Sequence, residues 1–472
     1  MPSSKEKTMI YKSVEALFKA YDIKDGLTFS FHHHLRNGDQ TMNQILKTCL
    51  DLDFKNISLA PSGIFPVHTT LAQMIEEKRV FDLTCNYLNG PAYEPINKAL
   101  LKGTFTMRSH GGRARAIKDN DLNIDVAFIA VSACDEAGNS TGLEGKNIMG
   151  SLGYAIEDSL HANTVIVVSD TLKNTIENPQ IKRDDVDGVL LLDSIGDSKG
   201  IVSGTLQITN DPLGLKIARD TMKLLSETNL IKNGVSFQSG AGGISLAITK
   251  MFNEYLKTNH IQASFYTGGI TTHHVNALKE GLVQTLYDVQ CFDLDAINSL
   301  KSSKNHWFMS AHEYANPNNE KRKIKDLDIV ILGATEVDLA FNVNVTTDAL
   351  NRVIGGSGGH SDTSEDARLS VIVSPLLKGR MPLIKDKVTT ITTEGKFVDV
   401  IVTERGIAIN PRRSDLLELL KTSDLNIMSI KTLQKLAHDL SGKPHPIMRS
   451  NKVIGRIENR HGEVIDHLYK KE

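Results

Sequence analysis

The sequence lacks an excess of either charge: 54 Lys and Arg stand against 56 Asp and Glu in 472 residues. A formal charge of −2 argues against a polybasic binder of nucleic acid or of a membrane surface. No uncharged apolar run approaches the about 18 residues that a membrane span needs. The stretch Met1 to Tyr11 is polar and Lys-rich with no apolar segment behind it. The expected location is the cytoplasm, with no membrane partner. Cysteine is scarce, and Cys49, Cys85, Cys134 and Cys291 form no Cys-x-x-Cys pair and meet no histidines at zinc-finger spacing. A disulfide framework and a structural zinc are therefore not expected, and the four read as reduced, buried thiols. What is there, 40% hydrophobic and 23% charged residues, suits a globular chain of two or three domains.

Short β-branched runs recur at Leu27–Phe31, Val126–Val131, Thr164–Val168, Gly234–Phe237, Ile329–Leu332, Leu369–Val373 and Val398–Val402. Segments of helical period lie between them, at Thr41–Asp51, Leu71–Lys78, Leu213–Thr228 and Ile244–Leu256. Alternating strands and helices predict an α/β fold with mainly parallel sheets. The pattern also repeats. Asp125 to Asn139 aligns without gaps on Asp328 to Asn342, Gly26 to Phe31 on Gly234 to Ser239, Gly150 to Gly153 on Gly356 to Gly359, and Val165 to Ser169 on Ser370 to Ser374. Two copies of roughly 200 residues indicate a duplicated domain rather than a solenoid of short repeats. The boundary is expected near Thr228 to Gly234, giving domains 1–230 and 231–472. Ligands of open α/β sheets sit beyond the C-terminal strand ends, and pockets favour domain interfaces, so chemistry is sought in those loops.

The loop Ser239 to Ser245 holds Gly240, Gly242 and Gly243 between a strand and a helix, where unpaired N–H groups would meet a phosphate, a carboxylate or a thioester oxyanion. It is neither a P-loop nor a dinucleotide fingerprint, since Gly-Lys-Ser/Thr is absent and the glycine spacing is wrong. A denser cluster, Gly355, Gly356, Gly358 and Gly359, is closed by His360 and Asp362 and is expected to bind ligand. Its counterpart, Gly150 to Gly153, lacks the histidine, so the second copy is expected to keep the chemistry and the first to serve as scaffold. Glu336 and Asp338 would face one side of the sheet. Glu336 has no equivalent in the first copy and is the functional candidate, whereas Asp338, matched by Asp135, reads as a turn-supporting residue; Asn139 and Asn342 read as turn residues. Arg108, His110 and Arg113 surround a Gly-Gly turn, and arginine suits bidentate capture of a carboxylate or phosphate. The tract His32, His33, His34 does not suit a metal, because adjacent strand residues point to opposite faces. The segment Leu35 to Asp39 then reads as a turn into the next helix, and His273-His274 gets the same reading as the earlier tract. No metal site is expected.

These segments together resemble the alpha subunit family of citrate lyase, within the wider CoA-transferase family. The resemblance runs from about Gly26 to Asp466. It is carried by blocks such as Ser109 to Arg113, Cys134 to Asn139, Gly150 to Ile156, Gly240 to Ala247, Gly268-Gly269-Ile270-Thr271, Asp288 to Asp293, Phe341 to Val345, Gly358 to Asp362 and Val402 to Pro411. It implies two tandem homologous CoA-transferase-like domains. It also implies an acetyl-for-citryl exchange on an acyl carrier protein, with citrate and acetate as the small partners. The implied protein partners are the beta (lyase) and gamma (acyl carrier) subunits of an oligomeric complex. No cofactor is then bound covalently to this chain; the thioester sits on the phosphopantetheine group of the carrier subunit. Many relatives of the wider family place a nucleophilic glutamate in the stretch matching Tyr266 to His274, including Gly268 and Gly269, and this stretch contains no carboxylate. The resemblance therefore implies direct attack by a citrate carboxylate. The positions it bears on are Glu336, Gly358, Gly359 and His360 for catalysis. For substrate binding they are Arg108, His110, Arg113, Gly240, Gly242, Gly243, Gly268, Gly269, Gly356 and Asp362. The alternative is a CoA transferase or acyl-CoA hydrolase acting on free thioesters of another small acid, with Glu336 as nucleophile. A metabolite-sensing module is the alternative from a different class, disfavoured because no helix-turn-helix segment or basic tail accompanies the glycine loops.

Overall fold

The computed structural model describes residues 9–202, 207–444 and 449–472; Met1 to Thr8 of the polar N-terminal stretch lie outside them. β-branched runs that bury both faces form the centres of two sheets, as in Val126–Ala130 and Leu369–Val373, where every residue is buried. The first sheet contains, in spatial order, Gly188–Leu191, Thr164–Ser169, Val126–Ala130, Thr28–Ser30, Ile57–Leu59, Val80–Cys85 and Phe105–Met107. The second contains Val400–Thr403, Leu369–Val373, Ile329–Gly333, Ser236–Ser239, Ala263–Ile270, Val283–Cys291 and His306–Phe308 in the corresponding order. All the pairings within these two series are parallel. The duplication read from the sequence is therefore a duplication of sheet order.

Small devices repeat with it. Asp125 accepts the Thr28 N–H at 2.8 Å, and Asp328 accepts the Ser236 N–H at 3.0 Å. Asp135 accepts the N–H groups of Ala137 and Asn139, and Asp338 accepts those of Ala340 and Asn342, all within 3.0 Å. Asn139 and Asn342 each return a side-chain hydrogen bond to their aspartate. These are turn hydrogen bonds, as expected for Asp338 and the two asparagines.

The division by sheets departs from 1–230 and 231–472 at both ends. Helix Pro212–Glu227 starts on an Asp211 cap and buries Ile217, Ala218, Leu224 and Leu225. It packs on helix Gly243–Thr258 of the second half, because its amphipathic stripe needs an apolar partner and finds it there. The C-terminal hairpin, Arg449–Glu458 with Val464–Lys471, joins the first sheet beside Phe105–Met107. It pairs backbone groups on what would otherwise be an open parallel edge.

Candidate active site

The two copies meet through their glycine turns. On the second-half turn, Leu88 donates its N–H to the Gly355 carbonyl at 3.0 Å, and His110 donates to the Gly358 carbonyl at 2.8 Å. Gly358 has φ +52, and a Cβ on Gly356 would overlap the Asn86 carbonyl oxygen. A Cβ on Gly359 would lie 2.5 Å from Tyr314 Oη. The first-half turn repeats this against the opposite partner: Ala311 donates its N–H to the Gly153 carbonyl at 2.9 Å, and Ser151 Oγ donates to the Asp288 carbonyl at 2.7 Å. A Cβ on Gly153 would lie 2.5 Å from the carbonyl oxygens of Met309 and Val289, and one on Gly150 would overlap Cys291 Sγ. Glycine is required at Gly356, Gly150 and Gly153 because the other half of the protein occupies the space, and at Gly359 because Tyr314 of its own half does. The expectation that the second cluster alone faces a ligand while the first is scaffold is corrected on this point, since both turns close the same interface. Asp362 belongs to that interface too, accepting the Ser109 hydroxyl and the Gly111 N–H. Burial raises its carboxyl to about 6 against those two hydrogen bonds.

Several expected functional side chains are committed elsewhere. Both ring nitrogens of His360 are used, Nε2–H donating to the Gly333 carbonyl at 2.9 Å and Nδ1 accepting from Thr393 Oγ1 at 2.8 Å. Burial brings its imidazole down to about 4, so it is neutral at pH 7 and locked within its own half. Glu336 is 1% exposed; Oε2 accepts from Asn344 Nδ2 and the Thr389 N–H, and Oε1 lies 3.7 Å from Lys385 Nζ. Its buried carboxyl is held by Asn344, Thr389 and Lys385, a placement that argues against a nucleophilic role and against the alternative activity that needs one. Arg113 is 4% exposed and grips Asp158 with two 2.7 Å hydrogen bonds while donating to the Ala60 carbonyl. Burial pushes Asp158 up, but Arg113 and His32 outweigh it and hold the carboxyl well below the usual range. Arg108 donates to Thr84 Oγ1 at 2.6 Å and pairs through Nε with Glu458 at 2.8 Å. The two arginines expected to take a tricarboxylate are thus spent on buried acids, one of them supplied by the returning C-terminal hairpin.

At the strand ends next to this interface, the structure joins His110, expected to bind substrate, to residues for which no such role was expected. His33, Tyr154 and His110 stack in series, with ring centroids 4.7 and 4.3 Å apart, and Phe65 continues the column behind His33 at 5.7 Å. Tyr154 Oη lies 3.0 Å from His110 Nε2. Burial holds His33 and His34 well below their ordinary values with neighbouring imidazoles acting in the same direction, and burial with Arg113 brings His110 down to about 3. This wall is uncharged at pH 7. Beside it, Arg36 holds its guanidinium over the rings of Phe65 and Phe292, 5.6 and 5.1 Å from their centroids. From the second half, Gln238 hydrogen-bonds Tyr314 Oη at 2.8 Å, and Gln290 Nε2 donates to the His33 carbonyl at 3.1 Å.

The bulge at Gly268 and Gly269 completes that side. Gly268 has φ +91 with a Cβ position blocked by Gln238, and a Cβ on Gly269 would overlap the Phe292 ring. Of the expected glycine loops, only Ser239 to Ser245 leaves free space at its tip: nothing lies within 4 Å of a Cβ on Gly242, and the nearest atoms to one on Gly240 are at 3.7 Å. Gly243 is tighter, packed on the backbone of Gln207 and Thr209. Helix Gly243–Thr258 has no side-chain cap, so its first N–H groups are available to an anion or a developing oxyanion. The histidine tract could have flagged His33. Arg36 carried only the signal of a turn, which is what Arg36–Gly38 forms before Asp39 accepts the Thr41 N–H.

Paired parallel sheets, duplicated element for element and joined through glycine turns, define the CoA-transferase-like class of fold. An acyl-CoA transferase from E. coli O157:H7 shares it with a TM-score of 0.60 at 14% identity, over 93% of this chain and 98% of that one. Within the class, residues 7–471 match the family model described as citrate lyase, alpha subunit (CitF), and the chain belongs to that family. It is 38% identical over 465 residues to the citrate lyase alpha chain of Klebsiella pneumoniae, covering 98% of this chain and 92% of the relative. The citrate lyase alpha subunit of Streptococcus mutans, solved in complex with citrate, superimposes with a TM-score of 0.97 at 40% identity, over 100% of this chain and 93% of that one. The chain is thus an enzyme subunit of transferase fold, built as one part of a multi-subunit assembly. Among the described residues, no helix is long and apolar enough to cross a membrane.

Proposed function

We propose that this chain catalyses the exchange step of citrate lyase, in which acetyl-carrier thioester and citrate become citryl-carrier thioester and acetate. The observation that carries the reading is the family match over residues 7–471. A citrate carboxylate attacks the acetyl thioester carbonyl; the C–S bond breaks and leaves a citryl–acetyl anhydride with the carrier thiolate. The thiolate then attacks the citryl carbonyl, the anhydride C–O bond breaks, and acetate departs. No carboxylate lies between Tyr266 and His274, and Glu336 is held by Lys385, Asn344 and Thr389, so the route asks no enzyme nucleophile. What it asks is proximity and donors for a tetrahedral oxyanion. The open N-terminus of helix Gly243–Thr258 offers such donors, and the neutral His33, Tyr154 and His110 wall neither repels the anionic acid nor takes its charge. The thioester arrives on the phosphopantetheine arm of the gamma subunit, and the product passes to the beta subunit, in a cytoplasmic complex.

The test is an exchange assay with purified complex, acetyl-carrier protein and citrate, scanned against other di- and tricarboxylates. Citryl-carrier formation that is strongest with citrate is expected. Intact mass after incubation with acetyl-carrier alone should show no acyl or thioester adduct on this chain. An adduct on any of its carboxylates would replace the direct route with an enzyme-bound intermediate.

A further inference from the structure

Arginines around the interface are neutralised within the fold. Arg108 pairs with Glu458, Arg113 with Asp158, Arg115 with Asp119 and Asp121, and Arg322 and Arg460 share Asp366. Arg36 differs. Among the described residues no carboxylate lies within ion-pair distance of it, and its one hydrogen bond is a long 3.5 Å contact from Nη1 to the Ile201 carbonyl. Burial lowers its guanidinium somewhat without discharging it. Its guanidinium carbon lies over Phe65 of the first half and Phe292 of the second, and its own backbone sits at φ 52, in the left-handed region that strains a side-chain-bearing residue. A half-buried cation fixed at this cost, beside neutral imidazoles and without a protein anion, is arranged for an anion that comes from solution.

Resting on the exchange reaction proposed above, we infer that Arg36 is the residue that binds a carboxylate of citrate, in the role that Arg108 and Arg113 cannot fill. A planar guanidinium over two rings can offer two N–H groups as a fork that matches a carboxylate with two parallel hydrogen bonds. Its position at the C-terminal end of strand Thr28–Ser30, against Phe292 beyond strand Val283–Cys291, puts that fork where both halves meet. The anion is assigned to the free acid rather than to the phosphate of the carrier arm because a planar guanidinium and a planar carboxylate match in shape, and the two KM values, measured separately, distinguish the sources.

The experiment measures citrate and acetyl-carrier KM separately in the assembled complex for wild type, Arg36→Ala and Arg36→Lys, together with the citrate-induced rise in thermal transition of the purified chain. Loss of a charge-assisted contact should raise citrate KM about 10- to 100-fold in Arg36→Ala. Acetyl-carrier KM should stay within about twofold. Arg36→Lys keeps the charge and loses the fork, so it should fall between, and it preserves the test if the alanine variant is unstable. The citrate-induced thermal shift should shrink in step. An unchanged citrate KM in both variants overturns the assignment, as does a rise confined to acetyl-carrier KM, which would give Arg36 to the phosphate. Wild-type complex that binds citrate with the expected dependence on Arg36 but performs no exchange would leave this site standing and remove the proposed reaction.

Discussion

The turns Gly150–Tyr154 and Gly356–His360 occupy the same place in the two copies and do the same thing with their backbones, yet their next side chains diverge. Tyr154 stacks on His33 and His110 in the ring column of the first half, whereas His360 spends both ring nitrogens on Gly333 and Thr393 of the second. The half that looks richer in chemistry by residue type has its imidazole locked. The other half, with a plain tyrosine, provides the ring wall and the unpaired Arg36. Duplication keeps the interface because both turns must fit it, and leaves each copy free to change the side chain that follows.

The comparison is broken most forcefully at a charge that only the first copy carries. Asp158 aligns with Ser364, which makes a 2.6 Å contact with Ser370 Oγ in place of an ion pair. Arg113→Ala would strand Asp158 in the interior, so denaturant titration should show a loss of about 3–5 kcal/mol, with citrate KM of the folded fraction unchanged. A large KM rise at wild-type stability would return Arg113 to the binding site. Ser364→Ala should cost about 1 kcal/mol by the same measurement.

Next come the turns themselves. Gly153→Ala should cost about 1–3 kcal/mol, because the new methyl meets two backbone carbonyls that cannot swing away. Gly359→Ala meets the tip of Tyr314, which can, and should cost less. In a double-mutant cycle, Tyr314→Phe should relieve the Gly359→Ala penalty by at least about 0.5 kcal/mol and leave that of Gly153→Ala unaltered. Additivity at both positions would mean that the turns do not face what the structure places against them.

The aspartates that organise the repeated turns sharpen the likeness. Asp135→Ala and Asp338→Ala each remove an acceptor of three backbone N–H groups, and both should destabilise by about 1–3 kcal/mol, agreeing with each other to within about 0.5 kcal/mol. A clear inequality in thermal unfolding would show that the copies have drifted in support as well as in function.

The smallest effect is one of slope. His360 sits at about 4 in the folded chain against an ordinary 6.5, so between those values the unfolded state takes up a proton that the native state refuses. Its contribution to stability is present above pH 6.5 and is lost as pH falls toward 4. Asp362, raised from 3.8 to about 6, has the opposite sign: the native state holds the extra proton, and stability is gained as pH falls through 6. Stability against pH from 7 to 4 should therefore be flatter in His360→Gln and steeper in Asp362→Asn than in wild type. Equal slopes in all three would place these groups in contact with solvent.

Much of the fold was legible because its signals are local. The predicted helix Thr41–Asp51 is observed with those bounds, and the predicted strand Leu369–Val373 likewise. The duplication was readable because strand, turn aspartate and glycine recur in register, and hydrophobic period and turn chemistry are properties of neighbouring residues. Strands such as Val80–Cys85 escaped notice: Phe81 is 45% exposed and Asp82 follows it, so the run shows no clean apolar pattern.

What the sequence by itself determined is the α/β architecture, its duplication, its family and the kind of residue needed at each turn. The tertiary structure alone decided which glycines face protein and which face open space, and that Arg36 at the interface has no carboxylate partner among the described residues. Those answers depend on partners far away in the chain: Glu458 for Arg108, Asp158 for Arg113, Tyr314 for Gly359 and Phe292 for Arg36. A buried charge or an absent side chain has meaning only against the atom that closes on it, and folding, not local order, chooses that atom.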